Sequence, residues 1–335
     1  MYKLFRFLLF KLEPETSHQL TLQLMRLGGI QPVTAILRAV FDVPQKPVEA
    51  FGLKFKNPVG LAAGYDKDGV ALRGLAALGF GHVEIGTVTP RPQPGNPQPR
   101  LFRLVEDEGV INRLGFPGKG AGFVARQLQS IARRPRSVLI GVNLGKNKDT
   151  PLENAAEDYV SLMKTFSHLA DYLTVNISSP NTVGLRRLQG REMLESLLGM
   201  VAEERATSEV WQPILVKIAP DLSDEELDDV VGVILDTGMD GIIATNTTLS
   251  REGLRSNYQS EVGGLSGKPL TSLSDAVLSK VVKYVAGKVP VVGVGGIMSA
   301  EDAKRKLDLG ATLVQIYSGM VYAGPGLVKE ILTKI

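Results

Sequence analysis

From residue 57 onward, short runs of aliphatic and β-branched residues recur along the chain. Each ends in polar or glycine-rich positions and is followed by a stretch with helical spacing. The runs predict strands over Val59–Ala62, His82–Gly86, Val138–Asn143, Tyr172–Asn176, Ile214–Ile218, Gly241–Thr245, Val291–Val294 and Leu313–Tyr317. Between them, Pro151–Ala170 places Tyr159, Leu162, Met163 and Phe166 on one side of a helix. Asp224–Asp236 follows Ser223 as N-cap and opens with acidic residues, as the helix dipole favours. Ala300–Leu309 follows Ser299 in the same way. Continuous apolar strands separated by helices imply a parallel sheet covered by helices. Eight such units predict an α/β fold of the closed (β/α)8 TIM-barrel type.

The first forty-five residues read differently. Phe7-Leu8-Leu9-Phe10 is apolar but far short of the roughly 20 residues a membrane span needs. It also lacks a small-residue cleavage site, which argues against a signal peptide. Two short amphipathic helices are expected. One starts near Pro14 and carries Leu20, Leu24 and Leu27. The other starts at Pro32 and carries Val33, Ile36, Leu37, Val40 and Phe41. Lys3, Arg6, Lys11, Arg26 and Arg38 flank the stripes. Two readings stay open: a helical hairpin that packs on the main domain, or a segment lying on a membrane surface. Pro44, Lys46 and Pro47 read as a linker, and Phe51–Phe55 as a small hairpin. The expected division is residues 1–45 as an N-terminal helical segment and 46–335 as the barrel.

Composition narrows the chemistry. Hydrophobic residues make up 44% of the 335, enough for a large core, and the net charge of +3 is too small to argue for nucleic acid. Cysteine is absent, which excludes disulfides, thiolate nucleophiles and Cys-ligated metals. His18, His82 and His168 are far apart and form no HExxH pattern, so no metal site is expected. Hard chemistry then falls to Ser, Lys, Asn and an organic cofactor.

Polar residues gather at the C-terminal strand ends, where barrels of this type place their active sites. Asn176, Ser178, Ser179 and Asn181 crowd the fourth strand end, and Pro180 stops that strand. They suit a small, flat, polar substrate, or they simply cap the next helix. Gly295-Gly296 and Ser318-Gly319 follow the last two strands, a common phosphate site in barrels; the alternative is tight turns only. Lys217 lies inside the apolar run Ile214–Ile218 and needs a negative partner if it points inward. A reduced flavin and a Schiff-base substrate both meet that need. Asn143, Asn176 and Asn246 offer amides for the edges of a flat heterocycle.

Taken together, Asn57–Lys67 (NPVGLAAGYDK), Ile111–Phe116 (INRLGF), Asn143–Lys148 (NLGKNK), Val175–Asn181 (VNISSPN), Gly263–Gly267 (GGLSG) and Gly293–Ile297 (GVGGI) resemble the quinone-dependent, membrane-associated class 2 dihydroorotate dehydrogenases over nearly the whole chain. The helical N-terminal extension separates that class from the soluble one. The resemblance implies one FMN per chain, oxidation of (S)-dihydroorotate to orotate in pyrimidine synthesis, and quinone as electron acceptor. It further implies a monomer held peripherally on the cytoplasmic face of the inner membrane.

Carried over position by position, the resemblance implies Ser179 as the base that removes the C5 proton, with the C6 hydride going to flavin N5. Lys67, Asn112, Arg113, Leu114, Gly115, Phe116, Asn176, Asn181, Asn246 and Thr247 would bind substrate. Ala63, Gly64, Tyr65, Asp66, Lys67, Thr87, Asn143, Asn176, Lys217 and Thr245 would contact the flavin, and Gly267, Gly296, Tyr317 and Ser318 its phosphate end. The N-terminal helices would form a quinone tunnel lined by His18, unless His18 is only a helix-surface residue. The chain departs from the family pattern at Tyr65, Pro117 and Val183. Other readings remain: a hydroxy-acid oxidase or tRNA dihydrouridine synthase type of FMN barrel, or a non-catalytic membrane-peripheral barrel. The oxidase would need a histidine at a strand end, and His82 stands near the start of its strand. The tRNA enzyme would usually need a cysteine.

Overall fold

The computed structural model of the chain describes residues 2–132 and 137–335. Eight parallel strands close a barrel in sequence order: β1 (Val59–Leu61), β2 (His82–Val88), β3 (Leu139–Leu144), β4 (Tyr172–Asn176), β5 (Ile214–Ile218), β6 (Gly241–Ala244), β7 (Val291–Val294) and β8 (Leu313–Ile316). β8 pairs back onto β1 through Val314 and Val59, which closes the ring. Every residue of β5 is buried, as expected of a strand covered by helices outside and by other side chains inside. The helices Asp224–Asp236 and Ala300–Asp308 each begin with a reciprocal capping box, Ser223 with Glu226 and Ser299 with Asp302.

The barrel floor is apolar. Tyr172, Leu215, Ile243, Val292 and Leu313 point inward and pack on Phe51 and Phe55 of the hairpin Val48–Ala50/Leu53–Phe55, which plugs the N-terminal mouth. Phe51 and Gly52 turn the hairpin with φ of 55° and 72°, as a two-residue turn requires. His82 is buried in this floor against Phe55 and Tyr172. Burial pushes its pKa down to about 3, so it stays neutral, at the end of the barrel opposite the strand tips.

Two features depart from the expectation. The N-terminal region holds three helices, not two: α1 (Tyr2–Phe10), α2 (Pro14–Gly28) and α3 (Val33–Val40). The apolar run too short to span a bilayer is the end of α1. That helix is pinned to the last barrel unit by Tyr2 Oη donating to Val321 O (2.7 Å) and Arg6 to Tyr322 O (2.6 Å). Pro32 caps α3 rather than opening it. α2 lies so close to the helix Leu72–Ala76 that a Cβ on Gly74 would fall 1.9 Å from Met25 O. The stripes Leu20/Leu24/Leu27 and Val33/Ile36/Val40 face outward, and Leu4, Phe7 and Leu8 of α1 are exposed too. Among the described residues no helix is long and apolar enough to cross a membrane.

The second departure is a three-stranded antiparallel sheet, Leu101–Leu104, Gly109–Asn112 and Gly264–Gly267. Its first two strands turn through Glu108 in the left-handed region (φ 48°), and the third pairs with Gly109–Asn112 across 150 residues of chain. Glycine at both ends of Gly264–Gly267 hid that strand from propensity. The sheet brings Asn112 and Gly267 to the C-terminal end of the barrel.

Candidate active site

A cleft of about 1000 Å³, counted with the solvent at its open mouth, lies at the C-terminal strand ends. β4 and the loop after it deliver Asn176, Ser179 and Asn181 to its wall, and Lys217 enters from β5. Thr245, Asn246 and Thr247 follow β6. Ala63, Gly64 and Lys67 follow β1, and Thr87 is the last residue but one of β2. Gly296, Tyr317 and Ser318 lie after β7 and β8, facing Gly267 of the small sheet. Asn112, Leu114, Gly115 and Phe116 form the opposite wall.

Four expected site residues do not line this cleft. Asp66 is spent locally: its carboxylate accepts from the backbone N–H of Val70 (2.9 Å) and Ala71 (2.7 Å) and so ties down the turn that leads into the helix Leu72–Ala76. Arg113 turns away to pair with Glu261 and to stack on Phe102. Tyr65 faces α2, edge-on to His18 at 5.1 Å between ring centres. Asn143 lies one layer below the cleft, beneath Thr87 and Asn176. Sequence reasoning missed Gln315 and Ser266, which line the cleft, and Glu84 beneath it. Glu84 and Gln315 interrupt apolar strand runs just as Lys217 does, so the signal was present.

Three of the amides share one hydrogen-bonded network, and Asn181 and Asn112 form a pair beside it. Asn176 Nδ2 donates to Thr87 Oγ1 and to Asn143 Oδ1, both at 3.0 Å. Asn246 Nδ2 donates to Ser178 Oγ (2.9 Å), and Asn181 Nδ2 to Asn112 Oδ1 (3.0 Å). Ser178 is consumed, because its hydroxyl donates to Asn176 Oδ1 (3.1 Å). Ser179 is not: its Oγ accepts from Asn181 N (3.2 Å), and no described residue accepts its proton. Of the two adjacent serines, only Ser179 presents a free hydroxyl proton to the cleft.

Two lysines give the cleft its charge. Burial lowers the pKa of Lys217, with Glu84 opposing, and no described residue hydrogen-bonds its ammonium. Lys67 is pushed down to about 8 by burial, with Glu15 opposing, and donates to Gly64 O at 2.7 Å. A flat, anionic, multiply hydrogen-bonding cofactor fits this cleft. The Gln315 Oε1 and Asn181 Oδ1 atoms are buried without a partner, a cost of about 1–3 kcal/mol each that a ligand donor removes. At the end of the cleft beyond β7, Gly295 and Gly296 have φ of 108° and 72°. A Cβ on Gly296 would lie 2.4 Å from Thr271 Cα, at the first turn of the helix Thr271–Val285. Backbone N–H groups and a helix N-terminus are thereby brought to one place.

A second cavity of about 600 Å³ lies between α1, α2 and the barrel. Tyr2, Phe10, His18, Tyr65 and Arg103 line it, and Tyr317 borders both cavities. The rings of His18, Tyr65 and Tyr317 meet edge to face in series. Burial, then the Lys67 charge, pushes the His18 pKa down to about 3, so this imidazole is neutral.

The dihydroorotate dehydrogenase family model matches residues 46–335. The chain belongs to the dihydroorotate dehydrogenase family. A protein of a Roseiflexus species named dihydroorotate dehydrogenase (quinone) is 50% identical over 99% of this chain and 92% of its own length. A Cellvibrio japonicus protein of the same name is 50% identical over 98% of this chain and 96% of its own. Among solved structures, a dihydroorotate dehydrogenase from Eimeria tenella in complex with ferulenol superposes with a TM-score of 0.88. It is 39% identical and covers 96% of this chain and 90% of that one. Dihydroorotate dehydrogenases are flavin enzymes, in keeping with the fit of the cleft.

Proposed function

We propose that this dihydroorotate dehydrogenase oxidises (S)-dihydroorotate to orotate with FMN as its cofactor and a membrane quinone as the electron acceptor. The observation that carries the reading is the position of Ser179. Its free hydroxyl opens into the same cleft as Lys67, Lys217 and the amides of Asn176, Asn181 and Asn246. The relatives at about half identity bear the matching name.

FMN bound in the cleft supplies the acceptor for the hydride that leaves C6. Lys217 and Thr245 would hold its ring, while Gly267, Gly296 and Ser318 would take its phosphate. Lys67 meets the substrate carboxylate, and Asn112, Asn181 and Asn246 meet its amide edges. Ser179 Oγ removes the C5 proton. Serine is a weak base, and among the described residues no side chain stands within hydrogen-bond reach to take its proton, so a water completes the relay.

The second cavity suits the quinone. It is mostly apolar, lies under α1 and α2, and shares Tyr317 with the main cleft. The exposed stripes of these helices, with Lys3 and Lys11 beside them, would rest on the membrane surface, apolar side down. Residues 1–45 act as the membrane and quinone segment and 46–335 as the catalytic barrel, working as a monomer on the cytoplasmic face of the membrane. Flavin released from the purified protein by heat should chromatograph as FMN at about one per chain. FAD, or no flavin, would refute the cofactor assignment.

A further inference from the structure

Glu84 projects from β2 into the barrel interior and is fully buried. Its Oε1 accepts from Asn143 Nδ2 (2.8 Å). Its Oε2 accepts from Gln315 Nε2 (2.9 Å) and from the Tyr172 hydroxyl (3.2 Å). In all three contacts the Glu84 oxygens are the acceptors. The Glu84 charge opposes the effect of burial on Lys217.

The consequence is directional. Facing an acceptor-only group, the Asn143 amide has one allowed orientation, with NH2 down and Oδ1 up. Oδ1 then accepts from Thr87 Oγ1 (2.6 Å) and Asn176 Nδ2 (3.0 Å). With its proton given to Asn143, Thr87 Oγ1 can only accept, and it does so from Asn176 Nδ2. The Asn176 NH2 is now used, so its Oδ1 must face the Ser178 hydroxyl and Asn246 Nδ2. Reversing Asn143 would set two acceptors together at Glu84 and crowd donors at Thr87 and Asn176.

We propose that Glu84 is a positioning residue, which fixes the amide orientations of Asn143 and Asn176 and so sets which donors and acceptors the cleft offers the flavin. This rests on the flavin reading above. Neither Glu84 nor Asn143 lines the cleft, so the effect passes through Thr87 and Asn176, which do.

The test uses FMN-loaded protein diluted until FMN leaves, with free-flavin fluorescence as the readout. In Glu84→Gln, either end of the new amide can pair with Asn143, so the orientation is released. The FMN dissociation constant should rise about tenfold, equivalent to about 1.4 kcal/mol, and the visible band of bound flavin should shift. Tyr172→Phe removes a neighbouring donor but keeps the Asn143 contact, and should leave both readouts near wild type. Wild-type FMN affinity in Glu84→Gln overturns the proposal, as does an equal loss in Tyr172→Phe. Should Glu84→Gln not fold, Asn143→Leu has a similar shape and cannot donate to Glu84. FMN affinity must fall there too, and unchanged affinity overturns the proposal. A wild-type protein that takes up no FMN fails the flavin reading instead, a different outcome from wild-type binding unaltered in Glu84→Gln.

Discussion

Ser179→Ala should slow reduction of the bound flavin by dihydroorotate about 10²–10⁴-fold, the usual contribution of a positioned general base. The substitution removes one oxygen that accepts a single backbone hydrogen bond, from Asn181 N. The network of Asn143, Asn176, Thr87 and Asn246 contains Ser178 but not Ser179, so FMN should stay bound and the substrate pocket should keep its shape. Binding of orotate, which needs no proton removed, should therefore change little. Anaerobic stopped-flow reduction of the variant reads the effect directly. A rate equal to wild type would take Ser179 out of the mechanism. Ser178→Ala is the informative companion. It should disturb the Asn176 and Asn246 orientations and weaken ligand binding, because its hydroxyl is committed to both.

Deleting residues 1–45 should split the two half-reactions. Flavin reduction draws on the strand ends and the small sheet, none of which lies in that segment. Reoxidation by a long-tailed quinone draws on the cavity formed with Tyr2, Phe10 and His18, which the deletion abolishes. The second half-reaction should fall about 10²-fold, the scale of losing a positioned encounter, while a small soluble acceptor is still used. Loss of α2 uncovers the helix Leu72–Ala76, so the truncated protein should melt lower. The unchanged rate of flavin reduction in the same preparation shows that the barrel is intact. Efficient turnover with the long-tailed quinone would contradict the tunnel reading.

The barrel was legible because each strand is a short apolar run closed by glycine or amides, and burial on both faces makes such runs continuous. β4, β5 and β7 begin and end where the hydrophobic pattern predicts. The small antiparallel sheet was not legible, because its pairing joins Asn112 to Gly264 and no local pattern encodes a partner so distant. α1 was missed for another reason. The helix is held by side-chain bonds from Tyr2 and Arg6 to the carbonyl groups of residues 320–322, a tertiary contact rather than a propensity. At the site, strand-end position was enough to place Ser179, Lys217 and Asn176 around the cleft. It failed for Asp66 and Arg113, whose side chains find nearer partners than any ligand. The sequence also flagged Lys217 as a buried charge in need of a partner. It did not reveal that Glu84, another polar residue in an apolar strand, stands near it.

The most direct test is an anaerobic absorbance titration of the purified protein with dihydroorotate. The expected result is a yellow protein whose flavin band bleaches on adding that substrate and returns on adding quinone. A yellow protein left unbleached by dihydroorotate, or a colourless one that cannot be loaded with FMN, would contradict it.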